Sequence, residues 1–60
     1  MDAGEALQAL EGIKSSLTVV QSGLRFYGRG GKLTYAKMAE ILAQDAESLA
    51  TLAEEIKQFK

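Results

Sequence analysis

Cysteine, histidine and proline are all absent from these 60 residues. Without cysteine, no disulfide can staple the chain. Without cysteine or histidine, a zinc, haem or iron–sulfur centre lacks its usual ligands. The same gap removes the common general bases and the thiol nucleophile. The serines have no recognisable base partner, and neighbouring carboxylates such as Glu54 and Glu55 point in different directions on a helix. The chain is therefore expected to be no enzyme, to hold no cofactor or metal, and to take no small-molecule substrate. Without proline, nothing forces a kink into a helix. No run approaches the roughly 18 apolar residues of a membrane span. The first residues are acidic (Asp2, Glu5) where a secretion signal is basic. No membrane association is expected, and the cytoplasm is the expected compartment by elimination.

Net charge is also missing. Seven basic and eight acidic residues leave −1. A general nucleic-acid binder is usually basic overall, and a disordered chain is usually more highly charged and less apolar. A domain this short buries only about 60% of the surface its unfolded chain exposes. With disulfides and metals excluded, association is the remaining source of stability.

What is present is a heptad ladder in each half. In the first, one column is Ala3, Leu10, Leu17 and Leu24, and the other is Ala6, Ile13, Val20 and Tyr27. In the second, one column is Tyr35, Leu42, Leu49 and Ile56, and the other is Met38, Asp45, Leu52 and Phe59. Alternating steps of three and four residues keep such columns on one helical stripe. Two alanine columns, Ala39/Ala46/Ala53 and Ala36/Ala43/Ala50, run beside the second ladder and let a neighbouring helix come close. Glu40, Glu47 and Glu54 recur every seven residues on the opposite side, as a solvated face does.

The start of the first helix is marked by Asp2 and Glu5, spaced as a capping box. Its middle is poor in helix formers: Ser15, Ser16, Thr18, Val19, Val20, Ser22 and Gly23. It needs packing to hold it. The second helix has Thr34 as N-cap, is rich in alanine, leucine and glutamate, and ends in Lys57 and Lys60, which suit the helix dipole. Between them lies Gly28-Arg29-Gly30-Gly31-Lys32, a tight reversal. The expected fold is all-α and a single domain. Helix 1 covers about residues 2–27, the turn 28–33 and helix 2 about 34–60, forming an antiparallel hairpin that dimerises into a four-helix bundle. The competing arrangement is helix, small β-hairpin, helix, because aromatic residues and threonine flank the glycine-rich turn.

Three sets of residues are candidates for function. Leu10, Ile13, Leu17, Val20, Leu24, Leu42, Leu49, Leu52, Ile56 and Phe59 form an oligomer or partner interface. Arg25, Phe26, Tyr27, Arg29, Lys32, Tyr35 and Lys37 form a basic, aromatic tip in a stretch without acids from Glu11 to Glu40. Such a tip either binds anions, RNA or a single strand, or only caps the bundle end and keeps it soluble. Gly31-Lys32 is followed by Leu33 where a phosphate loop needs a hydroxyl, which argues against nucleotide hydrolysis. Asp45 interrupts the second ladder. It either reaches water at the seam edge or fixes register, with Lys14 at the same level as a partner for it.

Three functions follow as expectations. The first is a non-enzymatic interaction module (an adaptor, inhibitor or regulator) that binds itself as a dimer and also a larger protein. In size and architecture it is like small plasmid and phage regulatory bundles, an analogy of fold alone. The second is a nucleic-acid-binding regulator using the tip. The third is a structural subunit of a larger helical assembly.

Overall fold

A computed structural model describes residues 1–26 and 32–60. Two helices pack side by side, α1 (Ala3–Phe26) and α2 (Tyr35–Lys57). Among the described residues there is no strand. Leu24, Arg25 and Phe26 are the last turn of α1, and residues 32–34 are irregular, so the helix–ribbon–helix alternative is not what forms.

The helix starts obey local chemistry. Asp2 N–H donates to Glu5 Oε1 at 3.1 Å, and Glu5 N–H donates to Asp2 Oδ1 at 2.8 Å, the reciprocal pair of a capping box. Thr34 has extended backbone angles, and its hydroxyl accepts from Lys37 N–H at 3.1 Å. The end of α2 departs from expectation. The helix stops at Lys57, and the last turn tightens, with Gln58 N–H donating to Glu55 O and Phe59 N–H to Ile56 O, both at 3.0 Å. Phe59 therefore lies beyond the helix rather than on its seam.

One column from each helix closes the hairpin. Ala6, Ile13 and Val20 of α1 are buried, and so are Met38, Asp45 and Leu52 of α2. Ala6, Ile13 and Leu52 form one cluster with Ala9 packed against it. At the other end, a Cβ built on Gly23 would stand 2.8 Å from Leu33 and 2.9 Å from Met38, so the missing side chain is what lets these two come in. The register is antiparallel: Ala6 at the level of Leu52, Ile13 at Asp45 and Val20 at Met38.

The result is elongated. The radius of gyration is 14.1 Å, whereas a compact chain of this length has about 10 Å. The extents, 47 × 17 × 11 Å, are those of a single layer of two helices. No described side chain is fully buried. Fully burying a large apolar side chain contributes roughly 1.5–3 kcal/mol, so five buried apolar residues, one of them alanine, make a thin core.

The two helical glycines of α1 beyond its first turn separate cleanly as tests of this packing. A Cβ at Gly12 meets nothing within 4 Å. Gly12→Ala is expected to raise stability by about 0.5–1 kcal/mol, the helix-propensity difference. Gly23→Ala is expected to lose that gain, because Leu33 and Met38 must both move. Urea denaturation of the two variants checks the contrast, and equal gains would refute the tight fit at Gly23.

Candidate interaction surface

The heptad columns not used in the seam remain open to solvent. Leu10, Leu17 and Leu24 on α1, and Tyr35, Leu42, Leu49 and Ile56 on α2, are all between 41% and 58% exposed. In each helix this column precedes the seam column by three residues, a rotation of about 60° around the axis. Antiparallel helices are mirror images in end view, so both open columns fall on the same flank of the hairpin. The other flank confirms the geometry, since Gln8, Ala9, Gly12, Ile13, Asp45 and Ser48 share one shallow cleft there. The hairpin thus has one flank with a continuous row of large apolar side chains and another on which Val19 and the partly buried Ile41 stand among small and polar residues.

This division sorts the ten interface candidates. Leu10, Leu17, Leu24, Leu42, Leu49 and Ile56 lie together on the open apolar flank. Ile13, Val20 and Leu52 are consumed by the seam inside the hairpin. Phe59 is 36% exposed and sits past the end of α2. Tyr35, which the sequence assigns to the tip, belongs equally to the apolar flank. The alanine columns of α2 are exposed and extend the same flank outward.

The tip is described in part. Arg25 and Phe26 end α1, and Lys32, Tyr35 and Lys37 surround the start of α2, all exposed. Lys37 Nζ lies 3.6 Å from Glu40 Oε2, a solvated pair one helical turn apart. Tyr27 and Arg29 lie outside the described residues.

Asp45 is not where the solvent-reaching alternative puts it. It is 8% exposed, at the middle of the seam, and its Oδ2 has no hydrogen-bond partner. Nor is it paired with Lys14. The ion pairs among the described residues are Lys37–Glu40 and Lys57–Glu54. Lys14 is at the right level but on the wrong side, since it follows Ile13 by one residue and so is turned about 100° from the seam, toward the apolar flank. Its backbone carbonyl accepts from Thr18 Oγ1 at 3.0 Å, a bond that does not involve the ammonium.

Gly23 and the cleft residues Gln8, Gly12 and Ser48 were missed by the sequence reading as features of packing. A signal existed, because Ala9, Ser16 and Gly23 are small residues spaced by seven beside the seam. Among the described residues, no group of three or more histidine, cysteine, aspartate or glutamate side chains is placed to hold a metal ion. No described helix is long and apolar enough to cross a membrane. No protein-family model, curated protein or solved structure matches the chain.

A buried carboxylate oxygen without a donor costs stability, typically about 1–3 kcal/mol for an unmet polar group. Asp45→Leu is therefore expected to raise the melting temperature, by apolar contact with Ile13 and relief of that cost. A lower melting temperature, measured by circular dichroism, would show that Asp45 is satisfied in a way this packing does not account for.

Proposed function

We propose that this chain is a small, non-enzymatic protein-interaction module whose working surface is the apolar flank. The observation that carries the reading is that flank itself: a row of large side chains along the hairpin, left open because two helices have a single line of contact. Contiguous apolar patches on this scale mark association sites. An adaptor, inhibitor or regulator works in this way by presenting a helix face to a larger protein. The analogy with small phage and plasmid regulatory bundles is one of size and architecture only. A structural subunit of a larger helical assembly would use the same flank, filled by its neighbours. The cytoplasm is the compartment this reading assumes.

A second reading rests on the exposed Arg25, Lys32 and Lys37 beside Phe26 and Tyr35 at one end. It makes the tip a contact for RNA or single-stranded nucleic acid. The two readings respond oppositely to salt. Binding through phosphates falls steeply as salt rises, while apolar association does not.

Partner capture from a nuclease-treated lysate of the source organism tests them. Leu42→Glu or Leu49→Glu is expected to weaken capture at least about tenfold, because each buries an unpaired charge in the contact. High salt and the double change Arg25→Ala, Lys32→Ala are expected to leave capture intact. The reverse pattern would transfer the function to the tip.

A further inference from the structure

We infer that a second copy of this chain covers the apolar flank, packed tip to open end, with α1 on α1 and α2 on α2. The inference rests on the interaction reading above and makes a second copy the resident occupant of the flank, so that a larger protein competes with that copy for Leu42 and Leu49. Three independent properties of the flank select this occupant and this orientation.

The first is size. From the tip to the open end, the flank presents four layers: Leu24 with Tyr35, Leu17 with Leu42, Leu10 with Leu49, and Ala3 with Ile56. Large side chains lie at the tip and a small one at the open end. Packing tip to tip puts two leucines and two tyrosines in one layer and two alanines in another. One end is then overfilled and the other underfilled, and both defects are destabilising. Packing tip to open end sets Leu24 over Ala3, Tyr35 over Ile56, Leu17 over Leu10 and Leu42 over Leu49. Every layer then has a comparable volume.

The second is the margin of the flank. Outside the open column, α2 carries alanine in the columns Ala39/Ala46/Ala53 and Ala36/Ala43/Ala50, the second of which ends in Lys57. At the same places α1 carries Leu7, Lys14 and Gln21, then Gly4, Glu11, Thr18 and Arg25. A two-fold axis running across the hairpin keeps each helix over its own copy. Alanine margin then meets alanine margin, which lets the two α2 helices approach closely. Charged margin meets charged margin, with Lys14 of one copy near the level of Glu11 of the other. The tip-to-tip arrangement instead places α1 over α2, so that Glu11, Lys14 and Arg25 face alanines.

The third is charge along the long axis. The open end carries Asp2, Glu5, Glu54 and Glu55, partly offset by Lys57 and Lys60. The tip carries Arg25, Lys32 and Lys37, the last of them paired with Glu40. Tip to open end places opposite fields together, and tip to tip places like fields together.

The chain lacks cysteine, so single cysteines report orientation without interference. Ala3→Cys, Leu24→Cys and Tyr35→Cys each place one thiol in an end layer of the flank and leave the two central leucine layers intact. Light scattering of the unmodified chain at micromolar concentration is expected to give twice the 6.4 kDa of one copy. Oxidising a mixture of Ala3→Cys and Leu24→Cys chains is expected to yield their mixed disulfide. A mixture of Leu24→Cys and Tyr35→Cys is expected to yield little. Preferential joining of Leu24→Cys to Tyr35→Cys would overturn the orientation. A compact monomer at all concentrations would overturn self-pairing altogether. If Leu42→Glu still abolished partner capture in that case, the interaction reading would survive without this inference; if it had no effect, both would fall.

Discussion

Two helices have one line of contact, and everything else in this molecule is arranged around that limit. A helix with two apolar columns can hide one against a single neighbour and must leave the other beside it. Here the buried columns are Ala6, Ile13 and Val20 against Met38, Asp45 and Leu52. Ile13, Met38 and Leu52 are the large members of that seam, and the leucines spaced by seven on each helix are left outside. That inverts the usual economy of a small domain, in which the bulkiest apolar residues are the most buried. A chain built this way leaves more large apolar side chains open than it buries.

The two helices contribute unequally to that arrangement. α2 is made of strong helix formers and is alanine-lined over much of its surface. α1 contains valines, serines and one glycine in its second half, and Thr18 bonds back to its own chain. Packing holds α1 in place, and the small residues Ala9, Ser16 and Gly23 are what allow it to pack closely. At Gly23 the accommodation is explicit, since Leu33 and Met38 occupy the space a side chain would take.

Much of the fold was legible in the sequence. Periodicity placed both helices, and Asp2, Glu5 and Thr34 marked their starts through chemistry that is local by nature. The choice of column was not legible. Leu17 and Val20 look equivalent in a heptad, and only the small neighbours of the second column decide which one a partner helix can approach. The pairing of Lys14 with Asp45 failed for a related reason: matching levels along two helices says nothing about the angle around each. The end of α2 was also hidden, because Gln58, Phe59 and Lys60 continue the pattern while the backbone tightens at Lys57. At the candidate site, the six open aliphatic residues were all named from sequence, but they were mixed with three that the hairpin consumes.

Asp45 has one more effect. It stands opposite Ile13 at the midpoint of the seam, with Ala6 and Leu52 toward the open end and Val20 and Met38 toward the tip. A carboxylate transmits little apolar packing from one pair to the other. Fraying that begins at the termini therefore meets a natural stopping place halfway along. Amides of the tip half should keep their hydrogen-exchange protection while those of the terminal half open and close, so this short hairpin would behave as two cooperative units rather than one.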